Sequence, residues 1–192
     1  MLSSKDIVSK VSLTKDLIAD QTYDYVIEKW NPSNTAFDIA EGLGTADTGS
    51  TIVLITSGGY DDQRIIADMK FVAPTTAGSE QIGVMLRTVA IDEDATYYWA
   101  RVHDGSAKIT RYLDGTLSTL TQSAFPLAQD QVVTIDFSVV GNQLSATFTA
   151  DGGTPSEVVL STVDSTIPTG GIAGFRSSSS SVYCRNFTVE QV

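Results

Sequence analysis

The sequence predicts an all-β protein: two antiparallel sheets packed face to face as a sandwich. Two observations carry this expectation. Short runs rich in β-branched and aromatic residues recur between turn signals about every 8 to 12 residues. No segment keeps a 3.6-residue apolar period long enough for a long helix. With 192 residues, of which 42% are hydrophobic, the chain can bury a core without covalent staples.

The elements are expected in the following order. Residues 1–21, opening "MLSSKDIVSKVSLTKDLIAD", fit neither a clean helical stripe nor a clean strand, and are read as an arm or short helix flanking a domain over 22–192. Lysines and aspartates interrupt this stretch, so it is not a secretory signal peptide. "TYDYVIEKW" is a candidate first strand. "TAFDIAEGLG" alternates Phe37 and Ile39 against Thr35 and Asp38 and reads as one strand. "STIVLITS" (50–57) is compact and apolar, as expected of a strand well inside a sheet. "DQRIIADMKFVA" and "EQIGVMLRTVAI" follow, the second running into the acidic loop "IDEDAT".

"TYYWARVHDGSAKITRY" (96–112) reads as a hairpin around Asp104-Gly105, a dipeptide suited to a turn whose two central residues need positive φ. Asp114-Gly115 begins a second tight turn into "TLSTLTQ". Gly141-Asn142 joins "QVVTIDFSVV" to "QLSATFTA". "SEVVLSTV", "GGIAGFRS" and "SVYCRNFTVE" close a chain of about eleven strands.

Three of these pieces, in this order, resemble the concanavalin A-like lectin/glucanase jelly roll, laminin-G-like in the broad sense. They are "GVMLRTVAIDEDATYYWARVHDGS", "VVTIDFSVVGNQLSATFTADG" and "TGGIAGFRSSSSSVYCRNFTVE". The resemblance covers about residues 30–191 and implies a jelly-roll sandwich. Cys184 stands where the resemblance leads one to expect a bulky aromatic. This fold hosts enzymes, sugar binders and structural modules alike, so function has to come from a site.

Inventory excludes much. The only cysteine is Cys184, so an intrachain disulfide is impossible, and with His103 the only histidine there is no histidine-rich metal centre. A formal net charge of −11 repels phosphate backbones, which argues against a nucleic-acid partner. No apolar run approaches the roughly 18 to 20 residues of a membrane helix. The paired-carboxylate strand E-x-D-x-x-E of the glucanases this fold resembles is absent. So are a Gly-x-Ser-x-Gly elbow and a P-loop lysine, so no catalytic residue is expected. Asp92, Glu93 and Asp94 are the weak calcium candidates, with Asp61 and Asp62 second; calcium is the one cofactor these oxygen ligands suit.

The remaining candidate is one face of the 96–112 hairpin. Ala100, Val102, Ile109 and Leu113 belong to the inner set, which Tyr98 can join with its hydroxyl paired near the edge, while Arg111 is expected to reach the rim. A two-residue turn pairs His103 with Ser106, Arg101 with Lys108, Trp99 with Thr110 and Tyr97 with Tyr112. Tyr97, Trp99, Arg101, His103, Lys108 and Tyr112 then form one outward row, the candidate ligand- or partner-binding surface. Such a row suits a sugar ring, a protein partner, or the ordinary solvated back of a sheet.

The chain opens with methionine and its last strand runs almost to its end, as expected of a complete short gene product lacking an export signal. An acidic, cysteine-poor sandwich with an N-terminal arm resembles bacteriophage decoration, tail and fibre modules. The first expectation is therefore a non-enzymatic virion structural protein. It would dock through its arm on other virion proteins or copies of itself, and be found on virions or outside the cell after lysis. The alternative is a carbohydrate-binding module that meets surface glycans on the concave sheet face. A glycan-processing enzyme with an unfamiliar site comes third.

Overall fold

In a computed structural model of the protein the described residues are 37–40, 43–46, 51–55, 61–71, 81–90, 96–128, 131–152, 154–177 and 182–192. The expected arm (1–21), the strand expected over "TYDYVIEKW" and the acidic loop of Asp92, Glu93 and Asp94 lie outside them. The described residues form strands β1 (Phe37–Ala40), β2 (Leu43–Ala46), β3 (Thr51–Ile55), β4 (Gln63–Phe71), β5 (Gln81–Ala90), β6 (Thr96–His103) and β7 (Ser106–Leu113). They continue through β8 (Thr116–Ala124), β9 (Val132–Val140), β10 (Gln143–Ala150), β11 (Glu157–Val163), β12 (Ile172–Ser177) and β13 (Val182–Gln191).

The strands make two antiparallel sheets, ordered β1-β2-β13-β4-β9-β10-β11 and β3-β12-β5-β6-β7-β8. The described strands change sheet after β2, β3, β4, β8, β11 and β12, which interleaves distant segments as a jelly roll does. The two-sheet sandwich is therefore as the sequence predicts, with two local differences. "TAFDIAEGLG" holds two strands that fold back on each other, Phe37 facing Ala46 and Ala40 facing Leu43, where one strand was expected. "STIVLITS" supplies β3 at the edge of the described six-stranded sheet rather than inside it. An apolar run reports that a strand is covered, not which neighbours pair with it.

Period-2 alternation builds the core. In β9, Val133, Ile135, Phe137 and Val139 point inward and are fully buried, with intermediate residues between them. Ile65, Ala67 and Met69 of β4, with Leu144, Ala146 and Phe148 of β10, extend this layer. From the other sheet Ile82, Val84 and Leu86, then Tyr98, Ala100 and Val102, then Ala107 and Ile109, pack against it. The β9–β10 turn joins Val140 directly to Gln143, as the Gly141-Asn142 signal predicts.

Candidate functional site

The site is set by one turn. Asp104 (φ 51°) and Gly105 (φ 63°) both take positive φ, which fixes a two-residue hairpin. The register follows: His103 opposite Ser106, Arg101 opposite Lys108, Trp99 opposite Thr110 and Tyr97 opposite Tyr112. On the other side of β6, Gly83 lies opposite Arg101 and Met85 opposite Trp99, while Arg176 of β12 lies opposite Gly83. Four strands thus align Arg176, Gly83, Arg101 and Lys108 as one rung across the sheet, on the face turned away from the core.

The sequence leads one to expect this row in solvent. The structure corrects that for three of its members: Tyr97 is 0% exposed, Trp99 1% and Arg101 3%. His103, Lys108 and Tyr112 are partly exposed. Part of the physical reason is that the side chains pack on one another. Tyr97 meets Tyr112 with ring centroids 5.0 Å apart and Trp99 edge-on at 6.5 Å, and Met85 completes this second apolar cluster. The guanidinium carbons of Arg101 and Arg176 lie 4.6 and 5.1 Å from the Trp99 ring centroid, and that of Arg176 lies 5.1 Å from Tyr112. Arg176 also donates to the Tyr97 hydroxyl.

Gly83 makes room for the indole. A Cβ there would stand 2.6 Å from Trp99 Nε1 and 2.7 Å from Arg101 Cα, besides colliding with the Ala100 carbonyl oxygen. Burial lowers the Arg101 pKa to about 10, the nearby Arg176 charge pushing the same way against Tyr112 and Tyr97. Burial likewise pushes the Tyr97 hydroxyl up to about 12 against the opposing charge of Arg176. Among the described residues, Trp99 Nε1, Arg101 Nε and Nη1, and Arg176 Nε have no hydrogen-bond partner. Lys108 Nζ lies 3.4 Å from His103 Nδ1, which accepts from the ammonium when the ring is neutral there.

On the opposite face Ala100, Val102 and Ile109 are buried in the core as expected, while Leu113 is only half-buried and lies outside the core cluster. Tyr98 is buried, accepts from the Ile167 amide (3.1 Å) and donates to Asp164 Oδ1 (2.7 Å). Arg111 donates to Asp164 Oδ2 and Thr166 Oγ1, both at 2.6 Å. Burial opposes ionisation of Asp164, but hydrogen bonds from Tyr98 and Thr166 and the Arg111 charge together hold its pKa below the usual carboxylate value.

The other candidates contribute less. Asp62 Oδ1 accepts from the Gly141 amide at 2.7 Å and lies 3.7 Å from Arg87 Nη2. The buried Arg87 guanidinium also donates to the carbonyls of Asp61 (2.9 Å), Gly141 (2.7 Å) and Ile167 (3.4 Å). The Arg87 guanidinium thus already contacts the Asp61 main-chain carbonyl and lies near one carboxylate oxygen of Asp62 in the second calcium candidate. Among the described residues no group of three histidine, cysteine or acidic side chains is placed to hold a metal. A groove of about 610 Å³ on the seven-stranded sheet is lined by Asp68, Gln131, Thr134, Thr149, Asp151 and Ser156. Its polar groups partly satisfy one another: Thr134 donates to Asp68 (2.7 Å) and Gln131 to the Asp151 carbonyl (2.8 Å). Among the described residues no aromatic plane lines it.

Sequence reasoning missed Arg176, Gly83 and Met85. Gly83 carried a usable signal, since a glycine inside a strand marks a close approach. Arg176 carried only its parity within "GGIAGFRS".

No protein-family model and no curated protein sequence matches the chain. Solved structures do. The chain is similar to a carbohydrate binding module, CBM66 from Bacillus subtilis, with a TM-score of 0.70 at 14% identity over 88% of this chain and 99% of that one. It is similar to peanut lectin bound to a 9mer peptide, with a TM-score of 0.57 at 10% identity over 85% and 96%. It is also similar to the CBM2 module of the evolved Dit of Lactobacillus casei BL23 phage J-1, with a TM-score of 0.50 at 12% identity over 83% and 82%. At these identities the likeness establishes the fold: a lectin-like jelly-roll sandwich.

Proposed function

We propose that this chain is a non-catalytic carbohydrate-binding module, and that its binding face is the outer face of the six-stranded sheet around Trp99. The observation that carries this reading is the cluster of Tyr97, Trp99 and Tyr112 with stacked guanidinium groups and unpartnered donors, set away from the core. Aromatic planes suit the apolar faces of sugars, and directed donors suit their hydroxyls. The likeness to a carbohydrate binding module and a lectin supports it. Because Trp99 is buried, it acts as the base for Arg176 and the cluster on which Tyr112 packs, with the partly exposed Lys108 and His103 beside them in the row. The test is a glycan array followed by calorimetry on the wild type, Tyr112→Ala and Lys108→Ala. A wild-type ligand whose affinity falls at least tenfold in either variant is the expected result. Failure of the wild type to bind any glycan sinks the reading.

A second reading is favoured by the likeness to a phage Dit module. In it the same sandwich is carried on a virion, as a tail or capsid component, and residues 1–21 anchor it to other virion proteins or to its own copies. Particle incorporation of a chain lacking residues 1–21 tests this. Undiminished incorporation removes the anchoring role.

A further inference from the structure

We infer that the ligand of the six-stranded sheet face is anionic: an acidic glycan bearing a carboxylate or sulfate group, recognised at Arg101, Arg176 and Lys108. The inference rests on the carbohydrate-binding reading and specifies the ligand's charge. Three observations lead to it.

The first is register. Arg176, Arg101 and Lys108 occupy one rung, with the side-chain-free Gly83 between the two arginines. Adjacent strands are roughly 4.8 Å apart, so all three cations originate within about 15 Å. The second is the absence of counter-charge. On this face of the described strands the other residues are apolar or uncharged polar, apart from His103. Among the described residues, the groups acting on the Arg101 charge are Tyr112, Arg176 and Tyr97, none of them a carboxylate. This stands in a chain of net charge −11, where an acidic partner would be the easiest residue to place.

The third is the kind of polar atom left unmatched. Trp99 Nε1, Arg101 Nε, Arg101 Nη1 and Arg176 Nε are all donors, and all are buried without an acceptor. Among the described residues Gln81 Oε1 is an unmatched acceptor on this face. Burying a charge without a partner is costly, and a guanidinium stacked on an indole still has its in-plane N–H groups to satisfy. A carboxylate or sulfate supplies negative charge and several acceptor oxygens at once, in the geometry a guanidinium fork prefers. A neutral sugar supplies hydroxyls but leaves the charges uncompensated. Lys108 and Arg176 are partly exposed, so the rung is open to solvent at both ends.

The experiment measures binding of the full chain to matched oligosaccharides that share one backbone in neutral, carboxylated and sulfated forms. Arg176→Gln and Lys108→Gln are measured beside the wild type, and thermal unfolding confirms that each variant is folded. The expected result is that an acidic form binds at least tenfold more tightly than its neutral counterpart. Raising salt from 50 to 500 mM should erode that preference, and either substitution should remove most of it. Preference for the carboxylated or the sulfated form then identifies the acidic group. Equal binding of neutral and acidic forms overturns the inference and leaves the carbohydrate reading intact. Absence of binding to every form, with the wild type folded, overturns both.

Discussion

The outer faces of the two sheets carry their cations in opposite ways. On the seven-stranded sheet, Arg64 donates to both carboxylate oxygens of Asp136, at 2.8 and 2.7 Å, and reaches Glu190 at 3.3 Å. These groups are about one-third exposed, and the Asp136 hydrogen bonds raise the Arg64 pKa further. On the six-stranded sheet, Arg101 and Arg176 lie against Trp99 with no carboxylate among their described partners. The first face is what an ordinary solvated sheet surface does with charge. The second keeps cationic donors in place on an aromatic base, several of them without an acceptor among the described residues. Among the described residues, the contrast separates a face whose arginine is paired with carboxylates from one whose arginines are not.

The largest expected effect tests whether the aromatic base is structural. Trp99→Ala should destabilise the fold by about 4 kcal/mol, as for other buried large-to-small changes, in urea denaturation followed by circular dichroism. A change within about 0.5 kcal/mol, the usual size for exposed sites, would mean that Trp99 is a solvent platform after all. This is also why Tyr112 and Lys108, not Trp99, are the residues to vary in binding assays.

An intermediate effect belongs to the link between the sheets. Asp164, just after β11 of one sheet, holds Tyr98 of β6 and Arg111 of β7 in the other. Its folded-state pKa is depressed, so its stabilisation is complete above the unfolded value of about 4 and is lost as pH falls through the lower folded value. Asp164→Asn should cost about 2 kcal/mol at pH 7, the scale of a charge-assisted hydrogen bond. Denaturation curves across pH should show the gap from wild type closing below about pH 4. A gap unchanged down to pH 2 would contradict the assignment.

The smallest effect tests the paired face. Asp136→Asn should cost only about 0.5 kcal/mol, the scale of an exposed ion pair, and leave glycan affinity unchanged in calorimetry. A loss of more than about 2 kcal/mol would show that the pairing on the seven-stranded sheet supports the fold more than its exposure implies.

Much of the hairpin was legible beforehand. Asp104-Gly105 dictates a two-residue turn, the turn dictates the register, and alternation then separates Ala100, Val102 and Ile109 from Trp99 and Arg101. A paired Tyr98 hydroxyl near the edge and the reach of Arg111 to the rim were expected too, but not that both meet Asp164. The burial of Tyr97, Trp99 and Arg101 was not legible. Alternation says which face a side chain takes but nothing of what lies over that face. Arg176 lies 79 residues from the Tyr97 hydroxyl it contacts, and only the β12–β5 pairing brings it into the rung.

By itself, then, the sequence determined strand periodicity and positive-φ turns, which depend on neighbours in the chain, and by inventory excluded an intrachain disulfide and a histidine-rich metal centre. The tertiary structure alone decided that β3 is an edge strand among those described, and that Gly83 makes room for Trp99. It alone placed two arginines on one indole without a carboxylate among their described partners. Periodicity is a local property of the backbone, whereas exposure and charge compensation depend on segments that meet only when the sheets assemble.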